Sequence, residues 1–118
     1  MTQHDSLDQL KKALRSFAAE RDWDQFHTPP NLAAALGIEV AELQELFLWA
    51  TPAELPELIS AKRTKLSEEI GDVLLYLVRL ADKVGIDPVE AAQRKLALNA
   101  RKYPVGKARG SHKKYTEF

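Results

Sequence analysis

Two pairs of carboxylates, Glu39 with Glu42 and Glu69 with Asp72, carry the strongest chemical signal in the chain. In each pair the i, i+3 spacing sets both side chains on one helical face, with Cβ atoms about 5–6 Å apart, so that both can reach one ion. Each pair also interrupts an apolar surface. Ala35, Glu39, Glu42, Leu46 and Trp49 recur at steps of four and three and line one face, beside Leu36, Val40, Leu43 and Phe47. Glu69, Asp72, Tyr76 and Leu80 share a second face, beside Leu66, Ile70, Val73, Leu74 and Leu77. Carboxylates at the edge of a core are unfavourable unless something compensates them. The compensation is either Lys and Arg partners or a divalent cation. One such pair alone is most often a solvated or salt-bridged face. Two pairs on consecutive long helices, each breaking an apolar face, favour the cation. Oxygen-only donors suit Mg²⁺, with Mn²⁺ as a substitute, rather than Zn²⁺. Mg²⁺ keeps several waters and takes substrate phosphates into its shell, which points to phosphate chemistry. Glu45 lies one further step of three along the helix. It either orients or deprotonates an attacking water or is a plain surface acid.

The elements that must position these residues read as helices. Leu7, Leu10, Leu14 and Phe17 mark one face of a first helix over 6–21. A loop over 22–30 holds Trp23, Phe26, His27 and the Pro29-Pro30 pair, which marks a boundary. The second helix runs over 31–49 with Asn31 as its N-cap. Thr51-Pro52-Ala53-Glu54 has the form of a capping box and opens a turn or two before Pro56. The third long helix covers 60–84 and ends on Gly85. Asp87-Pro88-Val89-Glu90 opens a fourth helix that reaches 103, and Pro104 and Gly106 end it. This pattern predicts an all-α four-helix bundle, with one domain over 1–104 and a basic tail over 105–118.

Whole-chain properties bound the function. A chain of 118 residues suggests one domain with a modest core, which oligomerisation would extend. Lys plus Arg equals Asp plus Glu, so nothing electrostatic favours a nucleic-acid polymer or an anionic membrane as partner. The lack of cysteine excludes disulfides, thiolate zinc sites and a cysteine nucleophile. Residues 1–10 lack the apolar core of a signal peptide, and no apolar run approaches the ~20 residues of a membrane span. Cytoplasm is the expected compartment.

The segments Glu20-Arg21-Asp22-Trp23-Asp24-Gln25-Phe26-His27, Gly37 through Trp49 and Glu68-Glu69-Ile70-Gly71-Asp72-Val73-Leu74-Leu75-Tyr76-Leu77 together resemble the all-α nucleoside triphosphate pyrophosphatase superfamily. Lys102-Tyr103-Pro104, Arg109-Gly110-Ser111 and Lys114-Tyr115-Thr116 extend the likeness through the tail. Within this MazG-like superfamily the aromatic loop is most similar to the dCTP pyrophosphatase branch. The resemblance implies an Mg²⁺-dependent conversion of dCTP, or a modified dCTP, to monophosphate and pyrophosphate. It implies a homodimer or homotetramer. It implies Mg²⁺ on Glu39, Glu42, Glu69 and Asp72, a base pocket from Trp23, His27, Trp49, Tyr76 and Asn99, and phosphate or sugar contacts from Lys95, Arg101, Lys102 and Tyr103. Trp and Tyr faces can stack a pyrimidine, Asn can read a cytosine edge and cations neutralise phosphate. The plain alternatives are core roles for Trp49 and Tyr76, a loop-bracing His27 and a solvated face for Lys95 and Arg101. Leu14 stands where some relatives carry a polar residue, which leaves room for a 5-methyl or halogenated cytosine. The rival functions are a dUTPase-like or broad MazG-type hydrolase and a non-catalytic helical interaction module.

Overall fold

Helical periodicity becomes helix along nearly the whole chain. The computed structural model describes residues 3–118, with side chains from Ser6 onward, and contains no strand among the described residues. The chain packs as two compact units, Met1–Ile86 and Asp87–Phe118.

In the first unit, α1 is Gln3–Glu20, α2 is Pro29–Glu45, α3 is Leu55–Ala61 and α4 is Arg63–Val84. The longest element, α4, packs along α2 and against α1. Its core is small: among the described residues, Ala18 of α1, Leu32 of α2, and Leu66, Val78 and Ala81 of α4 are the buried apolar ones. Three boundaries differ from the sequence expectation. Helix α2 starts at Pro29 rather than residue 31, because Thr28 is the N-cap and its Oγ1 accepts the Asn31 N–H at 3.4 Å. The two prolines fill the first helical positions, where an N–H has no intrahelical partner to lose. Asn31 instead donates its side-chain N–H to the Phe26 carbonyl at 3.0 Å.

Helix α2 also stops at Glu45, four residues short of Trp49. The N–H groups of Leu46, Phe47 and Leu48 fall back three residues, to Leu43, Gln44 and Glu45, and tighten the chain into a turn. Trp49 then takes a left-handed backbone, φ 67°, and its side chain is 89% exposed. The expected face therefore holds only as far as Leu46. The third helix divides in two, with Lys62 (φ −104°, ψ 19°) as the joint. Thr51 does not close a reciprocal capping box. Its hydroxyl donates to the Glu54 carboxylate at 2.8 Å at the start of a 3-10 turn, Pro52–Glu54. At the far end of α4, Gly85 adopts φ 71°, the left-handed cap for which glycine is suited.

In the second unit, α5 is Pro88–Lys102 and α6 is Val105–Ala108. Asp87 caps α5 by accepting the N–H groups of Val89 at 2.9 Å and Glu90 at 3.1 Å. The tail folds back through a 3-10 turn, Tyr115–Glu117. Tyr103 makes edge contacts with Tyr115 and Phe118, at centroid distances of 5.9 and 5.8 Å. Among the described residues, no helix is long and apolar enough to cross a membrane.

Candidate functional site

Glu39 lies in the last two turns of α2, and Glu69 and Asp72 in the second and third turns of α4. Packing of α4 along α2 brings one oxygen from each of the three within 4.8 Å of the others. Glu69 is 3% exposed, although it is a carboxylate. The Oε2 atoms of Glu39 and Glu69 are both buried without a hydrogen-bond partner. Buried acceptors left in this state carry a desolvation penalty of about 1–3 kcal/mol each. Three carboxylates with oxygens this close, two of them carrying a buried unmatched oxygen, are the donor set expected of a hard divalent cation. The residues present therefore fit such an ion.

The electrostatics point the same way. Burial, with the carboxylates of Glu69 and Glu42 close by, pushes Glu39 up to about 7. Lys65, one turn before Glu69, places its Nζ 3.1 Å from Glu69 Oε1 and holds that carboxyl below its ordinary value. Sequence reasoning passed over Lys65. Its signal is the i, i+4 spacing to Glu69. Lys65 thus carries part of the positive charge the cluster requires. Glu42 adjoins the cluster and acts on Glu39, while Glu45, the last residue of α2, is exposed.

The aromatic segment sits beside the α1–α4 end of this unit. Trp23 packs edge-on against Phe17 at 5.7 Å and against His27 at 6.4 Å. The Trp23 N–H is bonded to the Ala18 carbonyl at 2.9 Å. His27 Nδ1 accepts from Arg79 Nε at 3.1 Å, and Arg79 Nη2 donates to Asp24 at 2.7 Å. Burial, followed by the charges of Arg79 and Lys83, holds His27 below its ordinary value. Tyr76 is half-buried on α4, one turn beyond Asp72 and on the same face.

The α5 residues belong to the second unit. Lys95, Asn99 and Lys102, spaced four and three apart, share one face of α5, whereas Arg101 points about a third of a turn away. Tyr103 follows the helix, with its N–H bonded to the Asn99 carbonyl at 2.8 Å.

An all-α chain with an inward-facing carboxylate cluster on α2 and α4, and an aromatic turn held by α4 further along that helix, has the organisation of a nucleotide pyrophosphatase of the MazG type. The MazG-like family model matches residues 34–118. Human dCTP pyrophosphatase 1 is 47% identical over 115 residues, which span 96% of this chain and 68% of that protein. Mouse dCTP pyrophosphatase 1 is 46% identical over the same shares. A crystal structure of a pyrophosphatase from Archaeoglobus fulgidus aligns with a TM-score of 0.82 at 43% identity, covering 88% of this chain and 97% of that one. This chain belongs to the MazG-like family.

Proposed function

We propose that the chain hydrolyses dCTP, or a base-modified dCTP, to the nucleoside monophosphate and pyrophosphate, with Mg²⁺ on Glu39, Glu42, Glu69 and Asp72. The observation that carries this reading is the pair of buried, unpartnered carboxylate oxygens on Glu39 and Glu69 within the three-residue oxygen cluster. A scaffold has no use for them. The similarity to dCTP pyrophosphatases over nearly the whole chain supports the choice of base.

When bound, Mg²⁺ supplies charge neutralisation at the triphosphate and a polarised water. The remaining work falls to the chain. Glu39, Glu42, Glu69 and Asp72 would hold the cation. Glu45, exposed at the end of α2, is assigned to orienting or deprotonating the attacking water, the alternative being a plain surface acid. Trp23, Trp49 and Tyr76 offer flat faces for the base, and stacking on such faces is worth about 1–3 kcal/mol per base. In the second unit, Lys95 and Lys102 are assigned to phosphate charge, with Arg101 as a further cation, Asn99 to a base edge and Tyr103 to the sugar. The working form is a homodimer or homotetramer.

The test is product analysis over a panel of nucleoside triphosphates, with Mg²⁺ and with chelator. The expected result is dCMP and pyrophosphate from dCTP, abolished by chelator and by Asp72→Ala, whose helical circular dichroism stays intact. Hydrolysis of dUTP in preference to dCTP would move the chain to another branch of the family. Hydrolysis of no nucleotide would leave a helical interaction module with a structural cation site.

A further inference from the structure

One arginine in the first unit is buried away from the carboxylate cluster. Arg79 lies in the apolar run of α4, and its side chain is 6% exposed. Burying a guanidinium requires that its charge and its donors be met. Two carboxylates flank it. Asp24 accepts from Nη2 at 2.7 Å, and Asp82 lies 3.6 Å from Nη1. Each carboxylate has a second cation, Lys83 for Asp24 and Arg15 for Asp82, the latter through a two-point contact at 2.7 and 2.6 Å. The fork thus ties α1, the Trp23–His27 turn and α4 together.

The third direction of the fork holds the consequence. Arg79 Nε donates to His27 Nδ1 at 3.1 Å. A guanidinium does not give up its proton in a protein, so Nδ1 must be bare and the imidazole proton must sit on Nε2. We propose that Arg79 is a positioning residue, which holds His27 as the neutral Nε2–H tautomer and locks the Trp23–His27 turn, so that this turn offers substrate a single N–H donor beside an aromatic face. Such a donor matches the N3 acceptor of a cytosine-type base, where a uracil-type base carries N3–H; the carbonyl acceptor, present in both bases, does not discriminate. The groups facing His27 agree. Arg79 and Lys83 of α4 both disfavour a second proton on the ring. Asp24 in the turn favours one, but it is already engaged by those two cations. The Trp23 ring lies edge-on to the imidazole, with centroids 6.4 Å apart.

The kinetic part of the proposal rests on the pyrophosphatase reading, and the tautomer part does not. Proton–nitrogen correlation spectra of the imidazole side chains, with His27 assigned through His27→Gln, read the tautomer directly in the unaltered protein near neutral pH. The expected result is Nε2–H in the unaltered protein, and loss of that single tautomer with a higher His27 titration point in Arg79→Met. With dCTP and Mg²⁺, Arg79→Met should raise KM about tenfold and leave kcat within about twofold, because the interaction lost orients the base rather than the reacting phosphate. Arg79→Lys keeps the charge against Asp24 and Asp82, so it preserves the fold if Arg79→Met does not. It lacks the forked Nε donor and should still raise KM. A proton on Nδ1 in the unaltered protein would overturn the proposal. So would an unchanged tautomer and KM in both variants. If the unaltered protein hydrolyses no triphosphate, the pyrophosphatase reading fails, and the tautomer spectra alone decide the assignment of Arg79.

Discussion

At the residue scale, Glu39 sets up a contest between a proton and a cation. Its carboxyl rests near 7, against an ordinary value of 4.5, chiefly because burial disfavours its charge. A group with a raised folded-state value stabilises the fold while it is protonated. That contribution is whole below 4.5 and is lost as pH rises through about 7. His27, held low, works in the opposite sense and loses its contribution as pH falls below 6.5. Between about pH 6.5 and 7.5 the two effects oppose each other, and comparison with Glu39→Gln isolates the Glu39 share. In chelator, the melting temperature should fall across that window, and Glu39→Gln should flatten the trend. On the proposed ligand set Mg²⁺ would displace this proton, so the ion's affinity, read by calorimetry, should weaken about tenfold per pH unit below about 7 and level off above it. Equal affinities at about pH 6 and 8 would remove Glu39 from the ligand set. Much of this cluster was legible in the sequence, since the i, i+3 spacing on apolar faces does not depend on the partner helix. The Lys65 contact and the Arg79 fork were not. An arginine inside an apolar run signals a buried charge, but only tertiary packing reveals that Asp24 and His27, more than fifty positions upstream, receive it.

At the scale of elements, the end of α2 is the informative case. The apolar and acidic periodicity continues to Trp49, so the pattern alone extends the helix that far. The backbone ends it at Glu45, because the following N–H groups bond three residues back and Trp49 turns left-handed. Helix ends depend on such local bonding choices, which side-chain periodicity does not record. The two prolines before Asn31 misled in the same way, since a helix start tolerates them and an interior does not. Cap residues were better guides, and Gly85 and Asp87 both act where their chemistry places them. The left-handed Trp49 yields a prediction with opposing parts. A non-glycine residue in this region carries about 1–2 kcal/mol of strain. The exposed ring has little packing to lose, so Trp49→Gly should stabilise the protein by about 0.5–1 kcal/mol after glycine's greater unfolded-state freedom is counted. Trp49→Ala keeps the strain and should leave stability nearly unchanged. If Trp49 stacks on the base, both variants should raise KM by about tenfold, the loss expected for one stacking contact. Chemical denaturation and steady-state kinetics on the same two proteins separate strain from binding.

At the scale of the whole molecule, the small core and the apolar surface belong together. Ile70, Leu74 and Leu77 recur at steps of four and three along α4, and all three are exposed. They form an apolar stripe that a lone chain leaves in water, consistent with the proposed homo-oligomer. Leu74→Glu should shift the sedimenting species toward monomer at micromolar protein without loss of helix. An unchanged sedimentation coefficient would exclude that stripe from the subunit interface. The two tryptophans have a practical consequence. They are the only two in the sequence, Trp23 is 44% exposed and Trp49 89% exposed, and both are candidates for contact with the base. On the proposed base contacts, indole emission from this protein should serve as an intrinsic optical gauge of site occupancy, with no silent background from a buried chromophore. Titration with a non-hydrolysable dCTP analogue and Mg²⁺ should quench it, and Trp23→Phe and Trp49→Phe should each remove a separable share of the signal.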